Sequence, residues 1–232
     1  MDPDGLASAA AYMPIFPIVG AIIGLLGGVL IWLLQVGLPP LLASTIGLGV
    51  IVLMNGAQHV DGLLDFGDGI MCHGSRARKL KVMQDPHTGA GGFTLGWFIL
   101  SATVFAIASV TRSFVIQALV ASEASGMFAM VFQAWAGHSA HKGMSSGFVA
   151  AMHSHWRNLR IVSSILILVM ITVPALFTFG LVVTCAAILV PSIMLQISNR
   201  AFGGITGDVM GATHEVTRLV ALVVILVGIS WL

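Results

Sequence analysis

Apolar residues fill this chain in long blocks, and short polar stretches divide them. A helix that crosses a bilayer needs about 20 mostly apolar residues, with a range of about 17 to 25. Seven windows meet that length: roughly 13–36, 38–57, 93–111, 114–136, 161–179, 181–197 and 216–232, the last at the short limit. Turn chemistry marks several breaks. Gly37-Leu38-Pro39-Pro40 divides the first two windows and Phe179-Gly180 the fifth and sixth, while Arg112 and Ser113 mark the step from the third to the fourth. The pattern predicts an all-α integral membrane protein with about seven transmembrane helices, forming one polytopic domain over 1–232. In the first window Gly20, Gly24 and Gly28 recur at small-residue spacing. Such spacing lets helix backbones approach closely in lipid. We expect packing from these glycines and no chemistry.

Composition supports this reading. Of the residues, 57% are hydrophobic and 8% charged, where a soluble domain carries about 25% charged residues. That excludes an ordinary soluble globule, a disordered chain and a nucleic-acid binder with a basic patch. The mean hydropathy is +1.01. The net charge of +1 points to no partner. Cys72 and Cys185 lie in unlike contexts and are expected as free thiols. The first basic residue is Arg76, so the first window lacks the basic region of a cleavable signal and is expected to be retained.

Three polar segments remain, 59–92, 137–160 and 198–215, each separated from the next by two windows, so all three fall on one side. Arg76, Arg78, Lys79, Lys81, Lys142, Arg157, Arg160, Arg200 and Arg218 lie there or at its edge, and Arg112 stands alone opposite. Lys and Arg collect on the cytoplasmic side. The expectation is a protein of the cell membrane whose polar loops and active site face the cytoplasm.

The acids carry the chemistry. Asp61, Asp65 and Asp68 are spaced i, i+4, i+7, which places three carboxylates on one helix face. Like charges so placed repel, more strongly near a membrane boundary. A divalent cation would offset that cost. Carboxylates without thiolates suit a hard ion, Mg²⁺ or alternatively Mn²⁺. Asp208, in a glycine-rich stretch on the same side, is either a further ligand or a turn former. Arg76, Arg78, Lys79 and Lys81 form either a phosphate clamp or ordinary anchoring at lipid headgroups. The stretch Gly89–Gly92 precedes a window and can present N–H groups to an anion. The histidines His138, His141, His153 and His155 suggest a metal cluster at first sight, but no cysteine or clear carboxylate accompanies them. Glu123 is the only acid inside a predicted span.

Two of these segments carry a family resemblance. His59-Val60-Asp61-Gly62-Leu63-Leu64-Asp65-Phe66-Gly67-Asp68-Gly69 resembles the signature of the cobalamin synthases. Gly203-Gly204-Ile205-Thr206-Gly207-Asp208-Val209-Met210-Gly211-Ala212 resembles that family's second glycine-rich motif, and the run from Arg76 to Gly92, with Asp85 and Gly89, fits the stretch between them. The segment 137–160 matches the family least. The resemblance implies adenosylcobinamide-GDP ribazoletransferase activity. The adenosylcobinamide phosphate passes from adenosylcobinamide-GDP to α-ribazole or its 5′-phosphate, and adenosylcobalamin or its phosphate and GMP are formed. It implies Mg²⁺ held by Asp61, Asp65, Asp68 and Asp208. His59, Asp61 and Asp65 would be catalytic, with His59 or an aspartate taking the hydroxyl proton. Arg76, Arg78, Lys79, Asp85, Gly89 and Thr206 would bind substrate. An oligomer is left open. The alternatives are another membrane phosphotransferase, such as a CDP-alcohol phosphotransferase, and a small transporter. The first has longer aspartate spacing and an Ala-Arg where this chain has Leu63-Leu64. The second predicts ionisable residues in several spans.

Overall fold

The computed structural model describes residues 12–141 and 143–229. Lys142, counted above among the basic residues, and the end of the last window, 230–232, lie outside the described residues. Among the described residues, six helices are long and apolar enough to cross a membrane, or seven if one bent pair counts as a span. The chain is an integral membrane protein.

A single 3₁₀ turn, Met13–Ile15, leads into α1 (Phe16–Leu34), which carries Pro17 in its first turn, where the missing N–H costs nothing. The second window is not one straight span. It holds α2 (Pro40–Met54), which at 15 residues is short for a span, and ends at a corner beyond which α3 (Gln58–Met71) runs at 93° to it. Gly56 (φ 63°) and Ala57 (φ 57°) make this corner in the left-handed region, a conformation that is uncommon for alanine and marks a site worth attention. Then follow α4 (Arg76–Met83), α5 (Ala90–Ser109), α6 (Val115–Ala136), α7 (Met144–Met152), α8 (Arg157–Leu176), α9 (Phe179–Ala201) and α10 (Gly207–Ile229).

The last span differs most from its window. It begins at Gly207, not near 216. Asp208, His214, Glu215 and Arg218 therefore ride on a long helix rather than on a loop or its edge. Hydropathy reads them as a loop because it counts each polar residue as solvated, whereas here the polar side chains pair with one another between helices.

The core is organised around α6, in which every residue from Ala121 to Val131 is buried. A helix covered on all sides is the expected centre of a bundle. α1 packs on it through the predicted glycine stripe. A Cβ at Gly20 would stand 2.5 Å from the Glu123 carbonyl oxygen, one at Gly28 would stand 2.9 Å from Ile116 Cα, and one at Gly24 would meet the Leu119 carbonyl. The obstacle is backbone, which cannot rotate aside. Gly24→Val is expected to separate α1 from α6 and cost about 1–3 kcal/mol, the usual range for overpacking. The readout is a lower thermal midpoint in detergent; an unchanged midpoint would refute the close packing.

The three polar segments meet one another. Ala140 N donates to the Ile205 carbonyl at 2.9 Å, Ile205 N to the His138 carbonyl at 2.8 Å, and Arg76 Nε to the Arg200 carbonyl at 3.3 Å, and His141 lines one cavity with Asp61 and Asp208.

Candidate active site

α3 and α10 cross at two glycines. A Cβ at Gly62 would lie 2.8 Å from Asp208 Cα, and one at Gly211 would lie 3.1 Å from His59 Cα. Glycine at both positions lets the two backbones touch, and this brings Asp61 and Asp65 beside Asp208. The approach to α10 is made by Gly203 (φ 81°) and Gly204 (φ 154°), where a side chain would be strained. A Cβ at Gly204 would also stand 2.7 Å from the His138 carbonyl oxygen.

Thr206 caps this helix start. Its buried hydroxyl accepts from Val209 N at 3.2 Å and donates to Asp208 Oδ2 at 3.2 Å. A threonine cap of this kind satisfies an otherwise orphaned N–H. Thr206, expected as a substrate contact, thus orients Asp208.

Asp65 has Asp208, Asp61 and Asp68 as like-charged neighbours. Such crowding favours a cation, and the donor set is all oxygen, which fits a hard ion. The four aspartates are not equivalent. Asp68 Oδ2 accepts from Gly89 N at 2.7 Å, and Oδ1 accepts from Gly92 N at 2.8 Å. Gly89–Gly92 presents N–H groups to an anion, as the sequence suggested, but that anion is the protein's own Asp68. A carboxylate at a helix amino terminus is favourable in its own right.

The predicted basic contacts are also partly engaged in structure. Lys79 Nζ reaches the carbonyls of Gly69 at 3.4 Å and Ile70 at 3.2 Å, at the end of α3. Arg76 holds the end of α9 through Arg200. Arg78 is exposed and lines an open groove with Lys81 and Asp85. Asp85 accepts from His87 N at 3.0 Å and meets His87 Nδ1 at 2.9 Å. These bonds hold the Asp85 carboxyl below the usual carboxylate range. Asp85 therefore fastens the turn before α5.

A cavity of about 540 Å³ opens beside Asp61 and Asp208, and His59, Thr206 and Gly207 also line it. Its wall includes His141, Ser145 and Phe148, from the segment least legible in the sequence. His138 Nε2 meets the Gly203 carbonyl at 2.9 Å and His153 Nε2 the Trp135 carbonyl at 2.9 Å, so these two histidines fasten loops.

The model of one family, described as cobalamin-5-phosphate synthase, matches residues 2–226. This chain belongs to the cobalamin-5-phosphate synthase family. Three proteins named adenosylcobinamide-GDP ribazoletransferase illustrate the kinship. The one from Methanocella arvoryzae is 33% identical over 88% of this chain and 81% of its own length. That from Methanosarcina mazei is 33% identical over 93% and 82%, and that from Xanthobacter autotrophicus is 34% identical over 97% and 88%. No solved structure matches the chain. The family match displaces the CDP-alcohol phosphotransferase and transporter readings.

This cobalamin-5-phosphate synthase family member also contains a buried charged cluster that sequence reasoning saw only as scattered residues. Arg218 Nη1 donates to Glu123 Oε1 at 3.2 Å, and its Nη2 donates to Glu215 Oε2. His214 Nε2 lies 3.5 Å from Glu123 Oε2 and its Nδ1 3.4 Å from Glu215 Oε1. The His214 ring stacks on His59 with centroids 4.1 Å apart. His59, His214 and Glu215 offer ligand atoms within 4.8 Å of one another, which no three of the aspartates do among the described residues. The signal in the sequence was Glu123, an acid within a span; its partner lies 95 residues away.

Proposed function

We infer that this chain is an adenosylcobinamide-GDP ribazoletransferase of cobalamin biosynthesis. It transfers the adenosylcobinamide phosphate from adenosylcobinamide-GDP to α-ribazole or α-ribazole 5′-phosphate and releases GMP. The observation that carries this is the family match over 2–226. The meeting of both glycine-rich motifs at one cavity supports it.

Phosphoryl transfer demands charge neutralisation and alignment more than covalent chemistry. In our reading Asp61, Asp65 and Asp208 hold Mg²⁺, or Mn²⁺ in its place, with Asp68 fixing the adjoining helix start. The ion, when bound, neutralises the diphosphate of the donor. Asp208 is aimed by Thr206, and Asp61 stands at the cavity. His59 lines the same cavity, and among the described residues its buried Nδ1 has no hydrogen-bond partner. Burial beside His214 and Arg218 disfavours an imidazolium there, so the proton of the attacking hydroxyl passes to a carboxylate at the cavity, where Asp61 is exposed. Arg78, with Arg76 and Lys79 behind it, supplies positive charge for the phosphates. The concentration of Lys and Arg beside these motifs supports a site on the cytoplasmic face of the cell membrane.

The test is GMP release by detergent-purified protein from adenosylcobinamide-GDP, with and without α-ribazole and Mg²⁺. Release that needs both is expected. Release without the nucleoside would make the protein a hydrolase, and no release from folded protein would refute the assignment.

A further inference from the structure

The transferase reading leaves open where each substrate sits. Two molecules of very different shape must reach one phosphorus atom. The donor carries a corrin macrocycle and a guanine nucleotide. The acceptor is a flat aromatic base on a ribose.

The 540 Å³ cavity lies within the size range of sites for drug-sized ligands, roughly 300–1,000 Å³. A nucleoside fits such a volume, and a corrinoid with its side chains does not. The lining is of two kinds. One part is Asp61, Asp208, His59 and Gln58. The other is apolar and draws on separate elements: Met13 on the 3₁₀ turn, Phe16 at the start of α1, Met130 on α6, Phe148 on α7 and Met210 on α10. Phe16 and Phe148 stand edge to face, with ring centroids 6.1 Å apart and planes at 72°. Aromatic rings and thioethers together make a favourable slot for a flat ring. The basic side chains that suit a diphosphate are elsewhere: Arg78 and Lys81 line the separate groove beside Asp85.

We propose that this cavity is the acceptor subsite. Phe16, Phe148, Met130 and Met210 hold the flat aromatic base of the nucleoside, and its ribose hydroxyl is presented to Asp61, His59 and Asp208. This inference rests on the transferase reading. In the step it serves, the hydroxyl O–H bond breaks and its oxygen bonds to the corrinoid-side phosphorus. The phosphorus–oxygen bond to the GMP moiety breaks, and GMP leaves with the electron pair. The proton passes to a carboxylate at the cavity, Asp61. The donor's diphosphate is received on the side of α4, where Arg78 and Lys81 line the separate groove.

The experiment is steady-state kinetics on the full chain, varying each substrate in turn, for the wild type, Phe148→Ala and Phe16→Leu. Loss of one ring contact is worth about a factor of ten. For Phe148→Ala the KM for α-ribazole is expected to rise at least about tenfold, and the KM for adenosylcobinamide-GDP to stay within about twofold. Phe16→Leu is expected to move the same constant in the same direction, by a smaller factor. A change in stability alone would not separate the two KM values. An unchanged α-ribazole KM in both variants, or equal rises for both substrates, overturns the acceptor subsite and leaves the transferase intact. If Phe148→Ala does not fold, Phe16→Leu decides alone by the same two criteria. A wild type that releases no GMP overturns the transferase reading and this inference with it.

Discussion

Asp61→Asn and Asp208→Asn are each expected to fold normally and to lower the rate of GMP release by on the order of 10²–10³-fold or more, the scale of losing one preorganised electrostatic contact to the reacting centre. Asp61 is exposed at the cavity. Exchanging a carboxylate for an amide there changes charge and hardly changes volume. At Asp208 the amide oxygen can still accept from the Thr206 hydroxyl, so the cap of α10 survives. The rate loss would therefore report the missing charge. Raising Mg²⁺ should recover part of it, because a weakened ligand set binds the ion less tightly without abolishing the site. Asp68→Asn should behave differently. Its two oxygens each accept a backbone N–H, from Gly89 and Gly92, and an asparagine has one carbonyl oxygen to offer. That variant should lose stability as well as rate, and added Mg²⁺ should not restore it. Three measurements separate the roles: GMP release, its dependence on Mg²⁺ concentration, and the thermal midpoint. If Asp61→Asn kept its rate within about tenfold of wild type at fixed Mg²⁺, Asp61 would not be an ion ligand.

The contrast between Asp61 and Asp68 shows how far the sequence carries. The i, i+4, i+7 spacing places both on one helix face, and α3 is indeed a helix over Gln58–Met71. Seven residues are also about 10 Å along the axis, enough for each carboxylate to meet a different neighbour. Periodicity gives the face; only the tertiary contact says that Asp68 meets the amino end of α5. The glycine stripe of α1 was legible because its pattern is local and its purpose, close approach in lipid, is general. The start of α10 was not legible. Hydropathy scores each residue against solvent, whereas His214, Glu215 and Arg218 are buried against one another and against Glu123. The wall formed by His141, Ser145 and Phe148 was equally hidden. It is held by two backbone bonds between Ile205 and the segment 138–140, and so short a pairing leaves no periodic trace.

Arg218→Met is expected to destabilise the protein by about 3–5 kcal/mol, the range measured when one partner of a buried ion pair is removed. Arg218 is fully buried between α6 and α10 and donates to both Glu123 and Glu215. Without it two carboxylates face each other where water cannot reach, with the His214 ring against both. In lipid such groups remain costly, and they pair inward when they can. At a domain size of 150–250 residues, each kcal/mol moves the thermal midpoint by about 2–4 °C, so the midpoint in detergent should fall by at least about 6 °C. The combination Glu123→Leu, Glu215→Leu and Arg218→Met should recover most of that loss, since an apolar replacement of the whole cluster removes the desolvation penalty together with the pairing. Recovery of stability without recovery of GMP release would show that the cluster serves the site through His214 and His59, whose rings stack beside the cavity. A midpoint for Arg218→Met equal to wild type would mean that the ion pairs do not join α6 to α10, and packing alone would have to account for that contact.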